Sequence, residues 1–252
     1  MIIVSFCISG YKLFEISDEY VHEAQVKVNI LKYGPESTGE TAKTAKVAEA
    51  RIIDTTAVAS CETASENHCN LSIIEIKNEV NKDVVGWLTV PNTRIDYPVV
   101  AAKDNSSYLK RDVFGNYAEA GSIFMDCRCA KDLSCFETVI YGHNMKNGSM
   151  FGDLRLFADE RFFEANRCGT LYMTDCTYTL DIIGYMVVSE DDEFVYNASV
   201  GHGELFDYVR SSALNYREPN TEENVVILST CSYEFDGART VLIANLHPSA
   251  PR

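Results

Sequence analysis

Nothing in these 252 residues offers a phosphate an obvious place to bind. There is no glycine-rich phosphate loop, no nucleotide motif and no run of Lys or Arg. With 22 basic against 37 acidic residues and a formal charge of −15, the chain lacks the basic footprint that nucleic acid requires. A solvated acidic surface accounts for the charge without an acidic ligand. No apolar run is long enough to span a bilayer: Met1 to Ile8 is apolar but short, and no basic region precedes it. No motif repeats at a fixed period. Nine cysteines are present without paired C-x-x-C spacing; Cys127, Cys129 and Cys135 make a poor thiolate set, and no metal or other cofactor is expected. An odd total leaves at least one thiol outside any disulfide.

What is present concentrates near the C-terminus. The apolar run Val225-Val226-Ile227-Leu228 passes through Ser229-Thr230 to Cys231, and Arg239 opens a second run, Thr240-Val241-Leu242-Ile243-Ala244. The polar, glycine-containing link between them predicts an antiparallel hairpin with positions 231 and 239 opposite each other, about 5 Å apart at Cβ. A cation beside a cysteine favours the thiolate, and a guanidinium can hold an oxygen that becomes negative during acyl transfer. Upstream, Glu137-Thr138-Val139-Ile140-Tyr141-Gly142 delivers His143 at its end, a proton donor for a leaving amine. Alternation places Ser229 on the face of Cys231. By the same rule Asn144 points away from the imidazole beside it, and the loop acids Glu234 and Asp236 read as solvated rather than as a third member of a triad.

These residues resemble the site of the sortases, the membrane-anchored cysteine transpeptidases of Gram-positive bacteria. The match rests on Tyr141-Gly142-His143, Leu228-Ser229-Thr230-Cys231 and Arg239 in that order. Val85-Gly86-Trp87-Leu88 with Pro91, Asp96-Tyr97-Pro98-Val99-Val100 and Asp104-Asn105-Ser106-Ser107-Tyr108-Leu109 bring it closest to class B. Ile227 departs from the threonine more usual there. The resemblance implies a thioacyl route. Cys231 would attack a C-terminal sorting signal of the Asn-Pro-x-Thr type after its threonine, Arg239 would steady the carbonyl, and His143 would protonate the departing amine. A peptidoglycan amine would then take the acyl group. Thiolate and imidazolium are needed together, so a pH optimum set by the pair is expected. Groove residues carry over onto Asn105, Leu109, Tyr141 and Ser229. The partners implied are surface proteins bearing the signal, the peptidoglycan amine and the membrane. Alternatives are a cysteine peptidase that hydrolyses the same signal and a signal-binding domain without turnover. An L,D-transpeptidase would keep its histidine and cysteine close together in one motif.

The expected fold is mainly β, a sortase-like closed barrel of about eight strands with an N-terminal helix and helical insertions. Strands are predicted at 87–90, 94–100, 122–126, 137–141, 170–175, 179–188, 224–230 and 239–246. A helix is predicted at 71–84, with helical insertions at 149–166 and 203–215. The second of these either walls the groove, as the resemblance implies, or simply packs. Residues 1–33 read as the remnant of a membrane anchor and a helical segment, 34–70 as a mobile spacer with a helical patch near 42–50, and 71–252 as the catalytic domain. The implied location is the cell membrane, with the catalytic domain on the extracellular face.

Overall fold

The structure, a computed structural model, describes residues 2–35, 68–197, 200–221 and 223–248, with the side chains of 2–16 and 68–71 set aside. The expected spacer, including its helical patch, lies almost wholly outside the described residues. After α1 (Ile2–Leu31) and α2 (His68–Glu79) come β1 (Val84–Thr89), β2 (Asp96–Val100), β3 (Ile123–Met125) and β4 (Glu137–Tyr141). A 3-10 turn (Gly152–Ala158) and α3 (Glu160–Ala165) fill the first insertion. Then follow β5 (Cys168–Met173), β6 (Thr177–Ser189), α4 (Glu193–Tyr196), α5 (His202–Ser212), β7 (Asn215–Tyr216), β8 (Val225–Cys231) and β9 (Ala238–Pro248).

The strands run in the order β5-β1-β2-β3-β4-β8-β9-β6-β7, and a further pairing of β5 with β6 closes the first eight into a barrel. The long β6 makes closure possible. Tyr178 to Asp181 pair with β5 on one side and β9 on the other, whereas Gly184 and Tyr185 pair with β7 and β9. All eight expected strands are present, and the mainly β, eight-stranded closed barrel is the observed fold. The addition is β7, two residues long and too short to carry a pattern.

Alternation divides the strands between layers. Leu88, Val99, Ile140, Leu171, Val226, Leu228 and Leu242 belong to the inner core, together with Phe157 and Phe163 of the first insertion. Val139, Val225, Ile227, Val241 and Ile243 face outward, where Leu205, Phe206 and Val209 of α5 cover them. Each such fully buried side chain contributes about 1.5–3 kcal/mol relative to exposure. α5 is therefore a packing helix, the second of the two readings of that insertion.

α1 docks on a third cluster, where Ile30 meets the layer of Ile73, Ile76, Trp87, Val100 and Phe124. Ile2 to Ile8 belong to this helix and do not form a separate strand. Lys12, Glu15, Asp18, Glu19, Glu23 and Lys27 interrupt the helix with charge. Among the described residues no helix is long and apolar enough to cross a membrane. That finding overturns the membrane placement and the extracellular-face location expected for the chain.

Gly86 marks a close approach in the barrel wall. A Cβ there would lie 2.6 Å from the Tyr172 carbonyl oxygen and 2.7 Å from Met173 Sδ, so β1 and β5 would have to part. Gly86→Ala is expected to destabilise the fold by about 1–3 kcal/mol, read as a lowered midpoint in chemical denaturation. A midpoint equal to that of the parent protein would show that the seam yields without cost.

Candidate active site

Three strand ends build the site. In the β8–β9 ladder Cys231 pairs with Arg239, so the two side chains are mounted directly opposite each other. On its other side β8 runs parallel to β4, with Tyr141 beside Ser229. The chain leaves β4 through Gly142, whose N–H donates to the Ser229 carbonyl at 3.2 Å, and reaches His143. All seven expected residues, His143, Cys231, Arg239, Asn105, Leu109, Tyr141 and Ser229, line one cavity of about 560 Å³. It opens on the outer face of the barrel, the face Tyr141 and Ser229 share with Val139 and Ile227.

His143 is half-buried, and its Nε2 lies 2.8 Å from the Leu109 carbonyl oxygen. A carbonyl only accepts, so this contact requires a hydrogen on Nε2. Leu109 thus meets the site through its backbone as well as its partly exposed side chain. Cys231 is exposed at the cavity mouth. Asn144 does not orient the imidazole. Its Nδ2 donates to the Cys231 carbonyl at 2.8 Å, tying the histidine segment to the cysteine strand. Asn105 is held from below, its Oδ1 accepting from the Cys127 N–H at 2.8 Å. The turn that presents it closes on Asp104, whose carboxylate accepts from the N–H and hydroxyl of both Ser106 and Ser107.

Arg128 and Tyr196 line the cavity and Asp126 lies buried behind it, three residues that sequence patterns did not single out for the site. Asp126, 1% exposed, accepts from Arg128 Nε and Nη2 at 2.9 and 2.7 Å and from the Tyr141 hydroxyl at 2.9 Å. Burial alone would raise the Asp126 carboxyl; the guanidinium and the hydroxyl outweigh it and hold the group below its ordinary value. Arg128 also donates from Nη1 to the Tyr196 carbonyl at 3.2 Å. Tyr196 stacks near Tyr141 with ring centroids 6.4 Å apart, and its hydroxyl lies 2.8 Å from Ser229 Oγ. Burial pushes the Tyr196 phenol up to about 12 and raises that of Tyr141 further, so both remain neutral.

Tyr196 belongs to α4, whose N-cap Asp192 accepts from the Phe194 and Val195 N–H groups. The acid run before an apolar pair was a readable cap signal. The Cys-Arg-Cys tract, by contrast, drew attention to its thiols when its arginine is the cavity residue. Burial pushes the Cys129 thiol up to about 11, leaving it protonated. Among the described residues no group of His, Cys, Asp and Glu is arranged to hold a metal.

Comparison with known proteins agrees with this architecture. A sortase domain model matches residues 88–247. The chain belongs to the sortase family. Sortase B of Listeria monocytogenes is 34% identical over 163 residues, covering 63% of this chain and 66% of that protein. Among solved structures, sortase B of Clostridium perfringens is 30% identical with a TM-score of 0.63, covering 69% of this chain and 98% of that one. A Streptococcus pyogenes class B sortase involved in pilus biogenesis is 29% identical, also with a TM-score of 0.63, covering 67% and 94%. These relatives are class B sortases, and the chain is a class B member of the family by the same likeness. The enzyme class that goes with it is the sortase-type cysteine transpeptidase.

The Asp126 network sets a pH dependence with a definite sign. A carboxyl held low in the folded state contributes stability above its unfolded value and loses it as pH falls through the folded value. Asp126→Asn is therefore expected to lower stability by about 1–3 kcal/mol at pH 7. The difference from the parent should narrow in acid, below pH ~4. Thermal melts from pH 3 to 8 check this; a constant difference would mean that Asp126 is not ionised in the fold.

Proposed function

We propose that this chain cleaves a C-terminal sorting signal of the Asn-Pro-x-Thr type between its threonine and the next residue, and passes the acyl group to a peptidoglycan amine. The observation that carries this reading is the placement of Cys231 opposite Arg239 in one cavity with His143. The Cys231 thiolate adds to the threonine carbonyl carbon, and the carbonyl electron pair moves onto oxygen. Arg239 meets that oxygen with N–H donors in a planar fork. As the carbon–nitrogen bond breaks, His143 gives its proton to the leaving amine, and a thioester to Cys231 remains. An incoming amine then attacks the thioester, loses a proton to the neutral imidazole and displaces the Cys231 thiolate, which restores the thiolate and imidazolium for the next cycle.

Asn105, Leu109, Tyr141 and Ser229 are proposed to contact the signal. Tyr141 and Ser229 present side chains already held by Asp126 and Tyr196, so a peptide laid along them meets a surface that need not reorganise. The catalytic unit is assigned to residues 71–252. The surface proteins that bear the signal and the wall amine are the partners in this reading.

Incubating the protein with an Asn-Pro-x-Thr peptide should yield a thioacyl adduct on Cys231 by mass spectrometry. The adduct should pass to triglycine or to a diaminopimelate-containing peptide. Cys231→Ala should form none. Arg239→Lys keeps the charge and loses the fork, and should slow acylation about 100-fold or more with the fold intact. Release as free acid only, with amine present, would favour the peptidase reading. Normal turnover by Arg239→Lys would make the arginine structural.

A further inference from the structure

The guanidinium of Arg239 is ion-paired, and its partner is a residue to which no role has yet been given. Arg239 Nη2 donates to Glu190 Oε2 at 2.5 Å, while Nη1 donates to the neighbouring Ala238 carbonyl at 3.1 Å. Two of the five N–H donors of the arginine are so engaged. Glu190 stands just past the end of β6, opposite the link that follows Cys231. Its own N–H donates to the Gly237 carbonyl at 2.9 Å, carrying the β6–β9 ladder one step past the pairing of Ser189 with Ala238.

Gly237 has a φ of +76°, and a Cβ placed on it would lie 3.5 Å from Cγ, Cδ and Oε1 of Glu190. The carboxylate arm therefore lies along bare backbone before it reaches the guanidinium. It is anchored at its base by the sheet and at its tip by the arginine.

The pair is of little use to the fold. Glu190 is 57% and Arg239 26% exposed at the side chain, and pairs in such positions contribute only about 0–1 kcal/mol. Its effect falls on the arginine, a long side chain with many rotamers that is required in one. Both residues line the cavity that holds Cys231.

We propose that Glu190 is the positioning residue for Arg239, holding one edge of the guanidinium so that its other donors stay aimed at the carbonyl that Cys231 attacks. This rests on reading Arg239 as the group that receives that oxygen. Glu190 does not touch the substrate; it sets the geometry of the residue that does. Its loss should therefore appear in the acylation step and hardly in peptide affinity.

The test uses Glu190→Ala and Glu190→Gln, alone and combined with Arg239→Lys. In the substrate-free protein, nitrogen-15 NMR of arginine side chains should show a restrained Arg239 signal, identified by its loss in Arg239→Lys. That signal should be averaged in Glu190→Ala and partly restored in Glu190→Gln, whose amide oxygen still accepts. With peptide, Glu190→Ala should lower kcat about tenfold with KM within about twofold, and should add nothing in the Arg239→Lys background. The melting temperature should stay within a few degrees of the parent.

An unchanged Arg239 signal in Glu190→Ala overturns the proposal, and so does an unchanged or faster acylation, which would make the carboxylate a bystander or a competitor of the substrate. Arg239→Lys turning over normally would instead defeat the functional reading. In that event, or if no adduct forms with the parent protein, the NMR comparison decides alone whether Glu190 holds the arginine.

Discussion

The antiparallel ladder between β8 and β9 is the constraint on which the rest of the molecule depends. It runs in unbroken register from Val225 opposite Asn245 to Cys231 opposite Arg239. Because side chains alternate strictly, a slip of one residue would carry Val226 and Leu228 out of the barrel and turn Ser229 inward. The apolar interior that stabilises the barrel and the pairing of the thiol with the guanidinium are thus consequences of the same register. β9 is also gripped by β6, so Arg239 stands in the sheet between Cys231 and Val188, and its backbone has little freedom.

Around this rigid floor the walls come from connections. The link between β3 and β4 supplies Arg128, backed by Asp126, the one between β2 and β3 supplies Asn105 and Leu109, and the one after β6 supplies Glu190 and Tyr196. Each is tied to another. Arg128 reaches Tyr196, Tyr196 reaches Ser229, and the Leu109 carbonyl meets His143. Asp126 lies buried behind the wall, and it is tolerable there because a guanidinium and a phenol satisfy its oxygens. Both exposed thiol and half-buried imidazole sit at the rim, where a peptide and an incoming amine can reach them.

Several elements were legible in the chain because they carry a period. Runs such as Thr138 to Tyr141 and Val225 to Leu228 are β-branched and bounded by turn residues, and every such run became a barrel strand. Elements without a period were missed: β7, with two residues, and α4, with four. The segment from Ile2 to Ile8 is ambiguous in the sequence, because a short apolar stretch reads alike as strand, helix or the end of a span; in the structure it opens α1. The other end of that helix docks where Ile30 joins the cluster of Ile73 and Trp87. In the second insertion, the helical pattern at 203–215 was correct, but the cavity wall fell to the short helix before it.

By itself the sequence determined the strands, the face of each residue on them, and the thiol, imidazole and guanidinium at their ends, because side-chain alternation is a local property of extended backbone. Only the tertiary structure decided what surrounds them. The meeting of Asn144 with the Cys231 carbonyl, Tyr196 with Ser229, and Glu190 with Arg239 joins parts of the chain 87, 33 and 49 residues apart. No local rule encodes such contacts. They exist because closing β5 onto β6 completes the barrel and leaves these loop residues facing one another across the same opening.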